Sequence, residues 1–223
     1  MDFAHATKDE DRAKFIGKPQ SEDEIILEDL YNRLDRYLNG VDDNEFKENC
    51  IAHMETITRL ESEGNTRALL IKGVCYEEGF MIINLEKAKE YYILAYVDHK
   101  DPLALYEQAT CLYMDGKYKD AAEKCELAAS RGNKYALSWL GARYLHGTNG
   151  FEKSYEKAFE YFRKGAEAGS AWGMINLASM LYSGENCSKN VEEAHVWYRK
   201  AAQIGNRSGI EKLKEYFGES VED

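Results

Sequence analysis

The sequence predicts an all-α protein, a right-handed α-solenoid of antiparallel helix pairs. Three observations support this prediction. The 223-residue chain has only two prolines, Pro19 and Pro102, a scarcity that favours long helices over a turn-rich β-sandwich. A block of small and apolar residues recurs along the chain at the spacing of a helical-hairpin repeat. Within each block the apolar residues lie three and four positions apart, which gives each helix one apolar face to bury.

The clearest copies of the block lie in the second half of the chain. Residues 136–147 align with residues 173–184, with small and apolar residues in the same columns. Residues 157–169 align equally well with residues 193–205. Both segments of each copy have helical periodicity, so one copy is a pair of helices.

The same unit can be traced towards the N-terminus. Its first small residue is Ala68, Ala104, Ala136 or Gly173, at spacings of 36, 32 and 37 residues. These spacings bracket the 34-residue tetratricopeptide period. Upstream, helices are expected over 22–38 and 44–63, which form a degenerate pair. The predicted segments are a disordered N-terminal tail (1–20), the degenerate helical pair (21–64), four repeats (65–100, 101–132, 133–169 and 170–205), a C-terminal capping helix (206–218) and an acidic tail (219–223).

A column of small residues runs through the first helix of every pair. Gly73 and Gly141 occupy this column in two repeats, and Ala109 and Ala178 occupy it in the others. Glycine inside a helix costs about 1 kcal/mol relative to alanine, so its presence needs a structural reason. We expect a neighbouring helix to approach this column at backbone distance, and alanine to be tolerated at position 141.

The turns between pairs carry helix-capping residues. Each of four glycines is placed to end a helix in the left-handed conformation, and the next residue is an N-cap type. These dipeptides are Gly64-Asn65, Gly132-Asn133, Gly169-Ser170 and Gly205-Asn206. Asp101 caps the remaining repeat, with Pro102 at the first helical position. Such short connections keep successive helices antiparallel and stacked.

These features together resemble the Sel-one-like repeats of the tetratricopeptide-like superfamily. The resemblance is carried by the small-residue columns, a long loop within each pair and a Tyr/Trp-Tyr/Phe-x-Lys-Ala/Gly-Ala-x-x-Gly ending. It is strong over 133–205 and weaker over 65–132, where the loop from Gly116 to Ala121 is short and His99 replaces the closing glycine. The resemblance implies a curved superhelix that serves as an adaptor or scaffold in protein complexes.

The composition and charge of the chain limit the kinds of partner, and the cellular compartment, that we expect for it. A formal charge of −11 repels phosphate backbones and anionic lipid surfaces, so neither nucleic acid nor membrane insertion is expected. The start of the chain lacks a basic, apolar export signal and no apolar run reaches membrane-spanning length, which predicts a soluble, cytoplasmic protein. The five cysteines, an odd number with irregular spacing, are expected as reduced thiols.

Signatures of catalysis are missing from the sequence. It contains no glycine-rich phosphate loop, no dinucleotide fingerprint, no zinc-protease motif and no serine-nucleophile elbow. Cys50 and His53 share a helical face but lack a second ligand pair, so packing is the preferred interpretation over metal binding. We expect no cofactor and no enzymatic activity. The alternative of a secreted β-lactamase-like repeat enzyme comes from relatives with regularly paired cysteines, which this chain lacks.

The concave face of the predicted superhelix is the candidate binding surface. In such a solenoid the first helix of each pair lines this face, and tyrosine and tryptophan often carry interface energy. The candidate contact residues are Glu77, Glu78, Tyr106, Tyr113, Tyr135, Trp172, Ile175 and Tyr182. The expected partner is a protein or peptide, with a basic segment favoured by the acidic balance. The same rings could instead pack against the neighbouring repeat.

Two non-catalytic functions therefore remain open. In the first, the chain is a monomeric adaptor that captures a partner in its concave groove. In the second, it is a structural subunit of a large multiprotein assembly and uses its convex face and ends.

Overall fold

The computed structural model describes residues 21–41, 44–80, 82–99, 101–184 and 186–221. Within these ranges it contains twelve α-helices and no strand, which confirms the all-α prediction. The helices before the repeats are α1 (Glu22–Leu38), α2 (Asn44–Ala52) and α3 (Met54–Ser62). The repeats hold α4 (Thr66–Glu77), α5 (Leu85–His99), α6 (Pro102–Met114), α7 (Tyr118–Ser130), α8 (Lys134–His146), α9 (Tyr155–Glu167), α10 (Ala171–Ser183) and α11 (Val191–Gln203), and α12 (Arg207–Phe217) follows them. The predicted tail at 1–20 lies outside the described residues.

The repeats stack as antiparallel pairs. We call α4, α6, α8 and α10 the A helices, and α5, α7, α9 and α11 the B helices. Each A helix packs against the B helix of its own pair, and that B helix packs against the next A helix. Each helix of the repeats therefore buries its apolar face against the helices next to it in sequence, as in a solenoid.

The turns that precede α4, α8, α10 and α12 have the predicted capping geometry. Gly64, Gly132, Gly169 and Gly205 all have left-handed φ values, between 77° and 93°. The side chain of the following Asn or Ser accepts a hydrogen bond from a first-turn N–H of the next helix, as at Asn133 and Ser170. Asp101 caps α6 in the same way, with Pro102 as its first residue.

In three of the pairs, the residue just before the B helix closes the loop between the two helices. The N–H groups of Asn84, Ser154 and Asn190 each donate to a carbonyl near the end of the preceding A helix, at 2.9 Å. The side chain of each of these three residues also accepts a hydrogen bond from an N–H group in the first turn of the following B helix. One residue therefore closes the loop and caps the helix. The α6–α7 pair is joined by the shorter turn expected from Gly116.

At its two glycines, the small-residue column faces an aromatic ring rather than the backbone of a neighbouring helix. A Cβ atom added to Gly141 would lie 2.6 Å from the Phe162 ring, and one added to Gly73 would lie 2.4 Å from the Tyr92 ring. Both distances are too short for a carbon contact. The expectation of a backbone approach at Gly141 is therefore wrong, and an alanine at this position would have to displace the Phe162 ring.

A close backbone approach does occur, one turn earlier along an A helix. A Cβ atom on Gly173, in the first turn of α10, would lie 2.7 Å from the Ala166 nitrogen and 2.8 Å from the Gly165 carbonyl carbon of α9. Glycine is needed here because the start of the A helix rests on the backbone of the preceding B helix.

The ends of the array are covered by helices outside the four pairs. At the C-terminal end, α12 lies within the predicted capping segment 206–218, with Asn206 and Gly218 as its caps, and its Tyr216 ring stacks on Tyr182 at 4.3 Å. At the N-terminal end, the predicted helix over 44–63 is divided into α2 and α3 at His53. Buried residues of α1, α2 and α3 share one core with the first repeat, so these helices close the other end of the stack.

Candidate partner-binding surface

The helix α1 lies across the predicted concave columns of the A helices. Its apolar face, Leu27, Leu30 and Leu34, is buried in one core with Leu70 and Tyr135. These leucines recur at spacings of three and four, so they form a single stripe on α1. The predicted groove side of the repeats is thus partly covered by α1.

The contact with α1 follows the first turns of successive A helices. On α4, the Arg67 guanidinium stacks over the Tyr31 ring at 4.9 Å. On α8, the Tyr135 hydroxyl donates to Asp35 Oδ1 at 2.7 Å, and Lys134 pairs with the same carboxylate. Burial and the Asp35 charge raise the pKa of Tyr135, so the hydroxyl remains a donor. Charged and polar contacts therefore join α1 to the first and third repeats.

Asn39, the C-cap residue of α1, is bonded to the first turns of α8 and α10 and to the turn before α12. Its side chain is 1% exposed, and its Oδ1 accepts from the Ala171 N–H at 3.0 Å. Its Nδ2 donates to the Tyr135 hydroxyl at 3.3 Å, and its backbone carbonyl accepts from Asn206 Nδ2 at 2.6 Å. Next to it, the Trp172 indole donates to the Leu38 carbonyl at 3.2 Å. We call this set of contacts the Asn39 clip.

The candidate contact residues consequently divide into covered and open groups. Tyr135 and Ile175 are buried, at 7% and 9% exposure, and Tyr106 packs on Tyr135 with ring centroids 5.9 Å apart. Trp172 remains 44% exposed despite its bond to α1. Tyr182 is half-buried against α12.

Tyr113 has neighbours of its own inside the second and third repeats. Arg143 and Asn149 both donate hydrogen bonds to its hydroxyl, and its ring meets Trp139 edge-on at 5.3 Å. The Arg143 guanidinium also lies over the Tyr113 ring at 4.9 Å. This cluster holds α6 to α8 and to the loop that follows α8.

Glu77 and Glu78 lie beside a third carboxylate that sequence reasoning missed. Glu77 accepts from the Tyr92 hydroxyl at 2.6 Å, and Glu78 accepts from Tyr37. Glu107, on α6, is only 4% exposed, and its Oε1 has no hydrogen-bond partner among the described residues. Burial, followed by the charges of Glu77 and Glu78, raises the pKa of Glu107 well above its ordinary value. Burial also raises the pKa of Glu77.

The part of the concave columns that α1 leaves uncovered forms an open strip along the C-terminal halves of the A helices. The strip comprises Glu78, Thr110, Met114, Ala142, His146, Ser179 and Tyr182. Met114 is its most exposed apolar member, at 55%. Together with Trp172 at its edge, the strip exposes apolar, aromatic and acidic groups.

Among the described residues, no group of three His, Cys, Asp or Glu side chains could hold a metal ion. No described helix is both long and apolar enough to cross a membrane.

The concave columns predicted from the sequence stay a prediction, and that prediction did not include α1, which covers part of them. The residues it missed are those of α1, above all Asp35, Leu38 and Asn39. One signal was available, because Leu27, Leu30 and Leu34 give α1 a buried stripe. The sequence contains no indication of which surface that stripe covers.

These features define the class of the chain as an α-solenoid of tetratricopeptide-like helix pairs. The family model of the Sel1 repeat matches residues 73–96, 134–170 and 173–206. The chain therefore contains Sel1-like repeats in these three segments, which confirms the resemblance inferred from the repeat columns. The model does not match residues 97–133, where the sequence already departs from the pattern.

Solved structures with the same fold are similar to most of the chain. A Sel1 repeat protein from Oxalobacter formigenes is 21% identical, with 93% of this chain and 84% of that chain covered and a TM-score of 0.64. The immunity protein Pa5087 from Pseudomonas aeruginosa is 22% identical, with 92% and 75% covered and a TM-score of 0.60. The c5321 protective antigen of uropathogenic Escherichia coli is 23% identical, with 86% and 44% covered and a TM-score of 0.57. A search of curated proteins found no match.

Proposed function

We propose that the chain is a non-catalytic, cytoplasmic protein-binding scaffold that holds a partner protein or peptide against the open strip. Sel1 repeats typically mediate protein–protein interaction. The single observation that carries the proposal is the exposure of Trp172 and Met114, at 44% and 55%, on A helices that are otherwise well packed. Large apolar side chains beside a polar rim are typical of an interface core.

The partner's segment is proposed to be basic where it meets the first two repeats. Glu78 is exposed there, next to the half-buried Glu77 and the buried Glu107. A net charge of −11 adds a long-range attraction for a basic segment.

The proposal is tested by affinity capture followed by mass spectrometry, with variants of the strip. Met114→Asp and Trp172→Ala are each expected to weaken capture of the identified partner at least tenfold, since loss of a central anchor costs about 2 kcal/mol or more. Glu78→Lys is expected to slow association mainly at low salt. Val196→Asp, at a 48% exposed position on the B helix α11, is the matched control and should bind normally.

A second candidate function, a structural subunit of an assembly, is favoured by a different observation. Exposed aliphatic residues concentrate in the first repeat, where Ile93, Leu94 and Val97 of α5 are 50%, 47% and 64% exposed and Ile82 and Ile83 of the preceding loop are 73% and 69% exposed. Concentrated apolar exposure marks interaction surfaces. If Val97→Asp abolishes capture while Met114→Asp and Trp172→Ala do not, the subunit model replaces the scaffold model.

A further inference from the structure

A groove lies between α7 and the start of α9, beside the loop that joins α8 to α9. It has a volume of about 630 Å³, within the range of about 300–1,000 Å³ typical of ligand sites. Its walls come from Tyr118 and Ala122 of α7, Tyr144 near the end of α8 and Phe151 of the loop. We call it the α7–α9 groove. None of its lining residues belongs to the open strip, so it is a separate surface.

The short turn inside the second pair leaves this space open. The turn between α6 and α7 spans residues 115–117, whereas the loops of the other pairs span 78–84, 147–154 and 184–190. The start of α7 therefore has no long loop of its own pair beside it, and the loop of the next pair forms the opposite wall. The groove thus lies at the pair where the chain departs from the Sel1 family model.

Three aromatic rings give the groove a rigid apolar wall. The Phe151 ring meets the Tyr144 ring edge-on at 5.2 Å and the Trp139 ring at 5.8 Å. The Tyr118 ring packs on Tyr113 at 5.1 Å and is 38% exposed. Because these rings are held by other rings, a ligand that stacks on them orders few side chains.

The charged groups of the groove balance one another. Lys119 and Lys157 bring two ammonium groups, Glu126 and Glu152 bring two carboxylates, and all four residues are exposed. The Lys157 ammonium lies over the Tyr144 ring at 4.9 Å, which holds it beside the aromatic wall. A groove without net charge favours neither a nucleic acid nor a strongly charged peptide. It suits a neutral ligand whose acceptors can reach the ammonium groups.

We propose that the α7–α9 groove binds a proline-rich segment of a partner protein in the polyproline II conformation. Such segments bind aromatic-lined grooves, because their conformation is already formed in the free chain and little freedom is lost on binding. Proline has no N–H group, so its burial against the rings leaves no donor unsatisfied. A polyproline II chain makes no hydrogen bonds of its own, and its carbonyl groups can accept from Lys119 and Lys157.

The test measures the binding of fluorescein-labelled decaproline to the full-length protein by fluorescence anisotropy. Decaproline is expected to bind. A labelled Gly-Ser peptide of the same length is flexible and keeps its N–H groups, so it should bind at least about tenfold more weakly. Because the groove is neutral, the affinity for decaproline should change little between low and high salt. Absence of decaproline binding, equal binding of the two peptides or a steep loss of affinity with salt would each overturn the proposal.

Variants of the groove locate the binding site. Tyr118→Ala removes an exposed ring, and Ala122→Met fills the groove with a good helix former and removes no contact. Each is expected to weaken decaproline binding at least about tenfold. Phe159→Ala is the matched control, because Phe159 lies about half a helical turn from Lys157 on α9 and packs on the C-terminal core, away from the groove. This variant should bind decaproline like the wild type.

Thermal unfolding shows which variants are folded. If Ala122→Met is folded and binds decaproline with wild-type affinity, the groove is not the binding site and the proposal is wrong. This result decides the matter even if Tyr118→Ala fails to fold.

Discussion

At the residue scale, Glu107 is the least compensated group in the described core. It is 4% exposed, it faces Glu77 and Glu78, and one of its oxygens has no partner there. A buried, unpaired carboxylate is costly as an anion, so the folded protein retains its proton to a higher pH than the unfolded chain does. Folding stability therefore depends on pH through this side chain.

The sign of this dependence follows from the raised pKa. The contribution of protonated Glu107 is fully present below the ordinary pKa of 4.5 and is lost as the pH rises through the raised value. Glu107→Gln removes the charge and keeps the shape. Because a pKa change of one corresponds to about 1.4 kcal/mol, the variant should raise the free energy of unfolding at pH 8 by about 1 kcal/mol or more.

Urea denaturation at pH 5 and pH 8 measures the effect of Glu107→Gln. The gain over the wild type should shrink at the lower pH, where the wild-type carboxyl is also neutral. Glu123→Gln, on the exposed side of α7, is the control and should change stability little at either pH. An equal gain at both pH values would show that ionisation is not its cause.

The small-residue column of the A helices, which includes Gly141, packs against aromatic rings at some positions and against a smaller side chain at another. Gly73 and Gly141 face the Tyr92 and Phe162 rings, whereas Ala109 belongs to the core of Cys125, a smaller side chain. Gly141→Ala should therefore destabilise the protein by about 1–3 kcal/mol through overpacking, despite the better helix propensity of alanine. Thermal and urea unfolding measure this loss.

A second substitution tests the cause. Phe162→Leu removes the ring from the contact, so the loss caused by Gly141→Ala should be much smaller in the Phe162→Leu background than in the wild type. Equal losses in both backgrounds would place the clash elsewhere.

At the scale of elements, α1 is held by the Asn39 clip as well as by its leucines. Asn39→Ala leaves the buried Ala171 N–H without its acceptor and removes the bond to Tyr135, so a loss of about 1–3 kcal/mol is expected. The amides of α1 should then exchange with deuterium faster, while those of α9 should not.

Asn176→Ala is the matched control for the clip. Among the described residues its amide bonds only to the Trp172 carbonyl of its own helix, at 2.8 Å. Hydrogen exchange in α1 should stay at the wild-type rate in this variant. If Asn39→Ala behaves like Asn176→Ala, α1 is retained by its apolar face alone.

The helices could be predicted from local signals, but the packing of α1 could not. Glycine followed by Asn or Ser marks both sides of a B-to-A turn, so positions such as Gly132 and Asn133 identify boundaries without knowledge of the fold. Asn39 carries no comparable signal, because its partners are set by the three-dimensional path of the chain. The ring opposite Gly141 was also hidden, since a small residue indicates a close neighbour but not its identity.

At the scale of the whole molecule, neighbour-to-neighbour burial predicts an elongated monomer. A compact globule of 223 residues has a radius of gyration of about 17 Å. Small-angle scattering should give a larger value, with a long tail in the pair-distance distribution, and a mass near 25.6 kDa. A value at or below that of the compact globule would contradict an extended stack.

The Asn39 clip also constrains the order of events during synthesis. Its bonds join residues 96, 132 and 167 positions apart in sequence, whereas the helix pairs form between close neighbours. Domains emerge from the ribosome N-terminal end first, and long-range contacts must wait for both partners. The helix α1 is therefore made before the repeats but cannot complete its contacts until Asn206 has left the ribosome. Its leucine stripe can pack once Leu70 and Tyr135 are made, so the bonds of the Asn39 clip are the last part of the α1 contact to form.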